Sequence, residues 1–574
     1  MISRLLLALN TIRYLRPRQV IYRPIRSLQK AFRPSASRPV QVAASRIPNL
    51  RQAVTDGGPG DLARRIARAD EVCDNRFTFL NVSMQFESIP WTGRPVSQLW
   101  AFNLQYFDYA LDLAWAFQAT KNSQYLRKFE ELFTEWERAT RAGGGDAWEP
   151  YVISVRAVNF VYAFLLLEAN LRPTVREPLL ASIDRQTRHL ERRLEWHLLG
   201  NHLLKNLHAI AVVGLIFEGP VGEGWRSAVT SRLWTELDEQ VLKDGGHFER
   251  SPMYHAIALG DLLELIVLRK SCGAPVPARV LAIAEKMLDA LELMSHSNGD
   301  LRLFNDAANG VAPERSRLAN LARRSGIERR SQRRDRWTLA DTGYYGASRG
   351  KFDLMIDCGR PGARYQPGHS HCDLLSYELD YDGNSLVVDS GVSDYVPGPS
   401  REYSRSTRAH NTLMVAGREQ SEMWGAFRVG RRARVVSAEL SANENPADAL
   451  FRGAYQPYGG HLTHRRTFFL SPSQLRVVDR IDGDSTLPVL SFVHFHPQCR
   501  VEQTDAGFII RLENIEFFLQ PFGVSHAVLV KGREQPMQGW YLPQFGVRVP
   551  SPVVVMSLDR HLNSDFGYNI AVSP

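Results

Sequence analysis

The sequence predicts an α+β multidomain chain, a helical half followed by a half of antiparallel strands. Three observations predict it. Residues 98–295 carry apolar positions at three- and four-residue spacing. After Arg336 short β-branched and aromatic-rich runs alternate with turn residues. An arginine-rich stretch, Arg315–Arg336, separates the two. At 574 residues the chain exceeds one ordinary core, and helices followed by strands argue for separate domains. We divide it into an arm and irregular linker (1–60), a helical domain (61–335) and a strand domain (336–574).

The arm comes first. Residues 1–50 hold ten Arg or Lys and no acid, so the formal net charge of +9 resides in the arm and the body is close to neutral. We therefore expect no nucleic-acid partner. The segment Leu15–Arg26 mixes bulky apolar residues with arginine, a composition that can touch an anionic membrane surface. Packing on the body with solvated charges is the simpler expectation. The apolar run Leu5–Leu9 is too short for a signal core and leads into Asn10 and more arginines, so we expect a cytoplasmic protein, with the periplasm as alternative. No stretch approaches the roughly 18 apolar residues of a membrane span. Five scattered cysteines suggest neither a disulfide framework nor a metal knuckle. Residues 34–60, rich in Pro, Ser and Gly, read as irregular.

The helical half reads as Leu99–Thr120, Tyr125–Thr140, Val152–Leu171, Val175–Leu199, His202–Phe217, Trp225–Leu242, Tyr254–Ser271 and Val276–Ser295. Tight connections point to antiparallel pairs in a bundle, solenoid or α/α toroid. The strand half includes Phe352–Asp357, Leu374–Leu379, Ser385–Asp389, Leu475–Ile481 and Val489–His496, with Tyr381-Asp382-Gly383-Asn384 as a hairpin turn.

Chemistry concentrates in a few places. His371, Asp389 and His410 can supply the two nitrogens and one oxygen that a zinc-like ion prefers, leaving His369 free; Asp373 and Asp306 are alternative oxygen ligands. If the segment is extended, His369 and His371 point to opposite faces. Asn201 reads first as a helix cap after Gly200, with His202 at the helix mouth. Tyr254 opens another helix beside Arg250 and several histidines, which can lower a phenol toward a useful base. Tyr395 and Tyr403 flank a Gly-Pro turn from which either can reach a cleft.

Together these motifs resemble the heparinase II/III family of polysaccharide lyases. His369-Ser370-His371-Cys372-Asp373-Leu374-Leu375-Ser376-Tyr377-Glu378 resembles that family's H-x-H-x-D-L-L-S-F-E block. Asp389-Ser390-Gly391 and Arg405-Ser406-Thr407-Arg408-Ala409-His410-Asn411-Thr412 resemble its D-S/P-G and R-S-T-x-A-H-N-T blocks. Trp100–Asp108, Gly200-Asn201-His202 and Asp244-Gly245-Gly246 to Tyr254 are similar to its N-terminal domain.

The resemblance implies an incomplete (α/α) toroid followed by an antiparallel β-sandwich, with a polyanion bound between them and cleaved by β-elimination at a uronic acid. It implies that Asn201 and His202 hold the uronate carboxylate. Tyr254 then serves as base and acid, with His369 as the base on one epimer and Tyr395 a further candidate for the acid. It assigns His371, Asp389 and His410 to one divalent ion, zinc by donor type and mainly structural, and lets Lys205 and Arg250 add positive potential. The basic arm and the absence of an export signal resemble members tied to bacterial capsule or exopolysaccharide production. A metal-dependent hydrolase, a two-carboxylate glycoside hydrolase and a non-catalytic accessory protein remain as rival readings.

Overall fold

The computed structural model describes residues 2–29, 41–328, 335–441, 450–483, 487–559 and 564–573. Its helical domain contains Gln98–Tyr106, Tyr109–Thr120, Ser123–Thr140, Pro150–Leu167, Pro173–Glu191, Gly200–Ile216, Thr230–Gln240, Pro252–Ser271 and Ala278–Leu293. These form an incomplete (α/α) toroid. Gly200–Ile216 is central, packing on Pro150–Leu167, Pro173–Glu191, Thr230–Gln240 and Pro252–Ser271.

The expected helix Leu99–Thr120 is two helices, broken where Phe107 takes a left-handed φ of 59°. That kink lets the Phe107 ring stack on Trp91 at 5.5 Å and meet Trp136 and Phe160 edge-on. Ring burial outweighs the steric cost of the backbone. Pro150–Leu167 corrects the membrane-span reading in part. By length and hydropathy it is able to cross a bilayer, but it is 89% buried in the toroid. It is a core helix, carrying Arg156, which donates to Gln186, Gln105 and Ala147 oxygens.

The expected irregular stretch 34–60 is also corrected: Ile47–Gly57 is helical, while 34–40 and the 329–334 part of the expected linker lie outside the described residues.

The strand domain is an antiparallel β-sandwich. A five-stranded meander (Arg336–Leu339, Tyr344–Arg349, Phe352–Asp357, Tyr377–Tyr381, Asn384–Val387) runs on through a Val387–Phe495 bridge into a four-stranded sheet. An eight-stranded sheet faces them, and Tyr345, Phe352, Phe451, Phe468, Val493, Met556 and Ile570 meet in the shared core. Asp382 and Gly383 both have positive φ (52° and 82°), giving the expected tight hairpin.

The arm forms two helices, α1 (Ile2–Ile12) and α2 (Pro17–Gln29). It packs on the body, as the simpler expectation had it, but with two of its charges paired rather than solvated. Arg16 and Arg26 pair with Glu239 and Glu149, and Arg18 lies 3.4 Å from the Trp196 ring centre. Between toroid and sandwich runs a cleft of about 2310 Å³, lined by the arm as well as by both domains.

Candidate active site

The helix Gly200–Ile216 presents the toroid's first contribution. It starts from an unusual turn, with Leu199 at φ 64° and Gly200 at φ 58°. A Cβ on Gly200 would fall 2.2 Å from Glu249 Oε1, so glycine is required for the carboxylate to close over the helix start. Glu249 accepts from the Asn201 backbone N–H (3.0 Å) and from Asn201 Nδ2 (2.8 Å). The capping expectation for Asn201 therefore fails: Glu249 takes the exposed helix N–H. Asn201 is left to aim its amide at His369 Nε2, 3.3 Å away.

His202 follows on the cleft wall. Its Nδ1 is 3.2 Å from Glu195 Oε2 and its ring is 4.9 Å from that of Tyr151. Burial works against its charge, but Glu195 outweighs burial through charge and hydrogen bond, and the imidazole is held above its ordinary pKa.

The strand domain supplies the opposite wall. His369 Nδ1 is 2.8 Å from Asp306 Oδ2, His371 Nε2 is 2.8 Å from Asp306 Oδ1, and Arg401 grips both oxygens of the same carboxylate. Despite complete burial, Arg401 first and then the two histidines hold Asp306 well below the usual carboxylate range. The expectation that His369 and His371 diverge along a strand is wrong, because the segment is a loop. It is ordered by Asn305, whose Oδ1 accepts from the His371 N–H. The two rings converge on one carboxylate and differ in what their other nitrogens face.

Tyr254 stacks on His369 with ring centres 3.8 Å apart, and its hydroxyl is 3.1 Å from that of Tyr395. Tyr395 thus reaches the cleft as expected. The idea that Arg250 lowers the Tyr254 phenol fails. Arg250 has φ 59° and turns its guanidinium away onto the carbonyls of Thr342, Asp341, Arg360 and Gly362. Burial, then Tyr395 and Asp306, push Tyr254 well above its ordinary value. Arg250 fastens the two domains and offers nothing to a ligand.

Lys205 lines the cleft, but its charge is taken by Asp261, with Nζ 2.6 Å from Oδ2. Tyr403, which the sequence also offered as a residue able to reach the cleft and bind substrate there, is buried against Met537, Trp540 and Leu542 and bonds Ser390, away from the cleft, so that expectation falls.

Behind His369 lies a group able to hold a cation. His371, Asp373 and His410 bring one donor atom each within 4.8 Å of one another. His371 Nδ1 and His410 Nε2 are buried with no hydrogen-bond partner. Burial pulls His371 down to about 3, keeping it a neutral imidazole, and raises Asp373 to about 6. Orphaned imidazole nitrogens beside a carboxylate suit a borderline-soft divalent ion. In place of Asp389 the structure groups Asp373 with the two imidazoles. Asp389 Oδ2 instead holds His410 Nδ1 at 2.7 Å, which fixes that ring's tautomer and leaves Nε2 the free donor atom.

Sequence reasoning missed Glu195 and Arg401 and gave Asp306 only a secondary place. Arg401 stands in a helix of ordinary composition, Pro399–Arg405, with no local signal. Asp306 follows Asn305, whose positive φ of 57° is a turn signal that the Asn-Asp pair carries in sequence.

Comparison with known proteins is consistent along the chain. The family described as Heparinase II/III N-terminus matches residues 9–323, and Heparinase II/III-like, C-terminal matches residues 331–565. FtsZ-localized protein C of Caulobacter vibrioides is 24% identical over 499 residues, covering 80% of this chain and 82% of that protein. Heparin-sulfate lyase of Pedobacter heparinus is 24% identical over 408 residues, covering 65% and 59%. The crystal structure of heparinase III superposes with a TM-score of 0.72 at 17% identity, over 89% of this chain and 84% of that one.

Proposed function

Since the chain belongs to the heparinase II/III-like family, we propose that it is a polysaccharide lyase, a carbon–oxygen lyase that cleaves a uronate-containing glycan by β-elimination. The observation that carries this is the setting of His369. Asp306 fixes Nδ1 as donor, so Nε2 offers a lone pair to the cleft, against the face of a protonated Tyr254 and near the amide of Asn201.

The chemistry follows from these positions. Removing the proton beside a carboxylate creates a second negative charge unless the first is offset. His202, whose cationic form Glu195 favours, and the Asn201 amide offset it. His369 Nε2 takes the C5 proton, the C4–O bond breaks as the C4–C5 double bond forms, and the Tyr254 hydroxyl protonates the departing oxygen. Tyr395 stands in line to reprotonate the phenolate. A phenol raised by burial is a better donor than base at neutral pH. This geometry therefore favours the uronate epimer whose C5 hydrogen faces His369.

The test is incubation with heparan sulfate, hyaluronan, chondroitin and alginate while following the ultraviolet absorbance of unsaturated uronate. Absorbance should rise with at least one. Saccharide ends produced with no absorbance would replace the lyase by a hydrolase.

We also propose one divalent ion, zinc by donor set and mainly structural, held by His371, His410 and Asp373 and oriented from behind by Asp389. It would tie the loop bearing His369 to the sheet below.

A membrane contact is proposed for the arm, through α1 first. Leu5, Leu6, Leu9 and Ile12 are between 47% and 62% exposed, beside Arg4 and Arg13, and α2 adds exposed Val20, Ile21 and Leu28 while its Gln19 and Arg26 are held by the body. Cosedimentation with anionic vesicles, abolished in Leu5→Glu/Leu9→Glu, is the expected result. No cosedimentation of the unsubstituted protein removes the contact.

A further inference from the structure

The arm reaches into the seam between the domains through one glutamine. Gln19 stands in the first turn of α2 and is 2% exposed. Its Oε1 accepts from the Arg16 backbone N–H at 2.9 Å, so the side chain closes the start of its own helix. That bond also settles which end of the amide is which, and the NH2 group faces the body. Nε2 donates to Leu198 O of the toroid (3.3 Å) and to Tyr365 O of the strand domain (3.2 Å). Both amide protons are used, one on each domain.

The two carbonyls belong to the segments that carry the opposing walls of the site. Leu198 lies three residues before Asn201 and four before His202, and Tyr365 lies four before His369. Leu198 also donates its N–H to Glu195 O at 2.9 Å, so the turn that gives His202 its carboxylate partner is the turn that Gln19 holds. Neighbouring arm residues fix the same segments from outside. Tyr22 meets Trp196 at 6.3 Å between ring centres, Gln29 donates to Arg192 O at 2.9 Å, and the Arg16 guanidinium lies 3.9 Å from the Tyr365 ring centre. The Tyr365 hydroxyl donates to Glu239, the carboxylate that pairs with Arg16.

We propose that Gln19 is a positioning residue for the proposed active site, its amide setting the spacing between the segment that bears Asn201 and His202 and the segment that bears His369. This rests on the reading of the cleft as a lyase site. Elimination there needs the carboxylate holder and the base on one sugar at once, and these groups come from different domains. A misplacement of about 1 Å costs on the order of a hundredfold in rate. Asn201 Nδ2 and His369 Nε2 lie 3.3 Å apart, and that gap is what the amide maintains. Glutamate would cap the helix equally well but, ionised, has no proton for either carbonyl, which is why an amide stands here. A protein donor on each buried carbonyl leaves neither group to be satisfied by water entering the seam.

The test joins kinetics, on whichever of heparan sulfate, hyaluronan, chondroitin and alginate yields unsaturated product, to hydrogen exchange, which needs no substrate. Gln19→Glu keeps the capping oxygen and the side-chain length and removes both donors; Gln19→Leu removes them without adding charge. In each, kcat should fall about 10- to 100-fold while KM changes less than about threefold. The alkaline limb of kcat/KM should also move to lower pH, because the turn holding Glu195 against His202 is loosened. A population of unfolded molecules lowers kcat equally at every pH, so the displaced limb separates misplacement from lost fold. Deuterium uptake at residues 195–202 and 365–371 should rise in both variants and stay unchanged at Ala278–Leu293. Asn10→Ala, which loosens α1 from Glu422 and touches neither segment, should keep the parent kcat. An equal fall in Asn10→Ala would place the effect on the arm as a whole and overturn the assignment to Gln19. Parent-like kcat and pH profile in both Gln19 variants overturn it while leaving the lyase. No unsaturated product from the unsubstituted protein removes the lyase; raised uptake at both segments then still supports the spacing role, and unchanged uptake overturns it.

Discussion

Tyr254 of the toroid and Tyr395 of the strand domain meet across the cleft with their hydroxyl oxygens 3.1 Å apart, so one hydrogen bond joins the two domains at the proposed proton donor. Tyr254→Phe should lower kcat by about 10²–10⁴ with little change in KM, the usual worth of a positioned proton donor. Tyr395→Phe should cost far less, about tenfold. A larger loss in Tyr395→Phe than in Tyr254→Phe would show that Tyr395 is the donor. Initial rates of unsaturated-product formation decide it.

Asp306 carries a heavier consequence. Asp306→Asn removes the carboxylate that sets the His369 tautomer and leaves the buried Arg401 charge unanswered. Activity should fall by about 10³ or more. Stability should drop by about 3–5 kcal/mol, the scale for a broken buried pair. His369→Ala should match the first loss without the second. Denaturant unfolding beside rate measurements separates them, and an active Asp306→Asn variant would end the base assignment.

Glu195 governs a pH limb. His202 is raised above its ordinary pKa of 6.5 by Glu195, so its cationic form is lost only as pH climbs past that raised value. The alkaline limb of kcat/KM should include this loss. Glu195→Gln withdraws the partner, so the limb should move to lower pH. A profile that does not shift argues that His202 works uncharged.

Chelation and metal analysis address the buried donor group. One zinc per chain is expected by elemental analysis, with a fall in Tm on treatment with a chelator. His410→Ala should lose the ion and lower Tm, while His369→Ala should keep it. Metal retained in His410→Ala, or none in the purified protein supplied with zinc, would remove the site.

A fifth expectation concerns the domain junction. His296 lies 2.8 Å from Asp380 and 3.2 Å from Glu378, with Arg302 beside them. Burial opposes its charge, but Asp380 leads a set of carboxylates that pushes it up to about 9. A folded-state pKa above the unfolded 6.5 stabilises fully below pH 6.5, and the contribution fades as pH rises through 9. Its size is about 3 kcal/mol. Tm measured from pH 6 to 10 should fall across that window, less steeply in His296→Gln.

Much of this was legible in the sequence because local pattern and tertiary demand agreed. The helices from Ser123 to Ser271 bury long apolar stripes, and Asp382-Gly383 can scarcely do anything but turn. Asn201, His202, Tyr254, His369 and Tyr395 are gathered in the cleft because motif residues carry their neighbours with them. What was hidden depends on contacts between distant segments. Arg250 looked like a ligand for a polyanion, yet its conformation is decided by carbonyls about ninety to a hundred and ten residues away. Asp389 and Asp373 are equally plausible donors by spacing, and only the choice of ring nitrogen on His410 tells them apart. Tyr403 failed for a simpler reason, since a tyrosine near a turn gives no sign of which way its ring packs.

Asp306 belongs to the loop that leaves the toroid, but its partners His369, His371 and Arg401 all come later in the chain. A polypeptide emerging from the ribosome therefore completes its helices while the base still lacks a position and Asp306 a counter-charge. The site is complete only when the sandwich has closed around that single carboxylate. On the proposed mechanism, a half-made chain has neither its base nor that base's anchor in place and cannot cut.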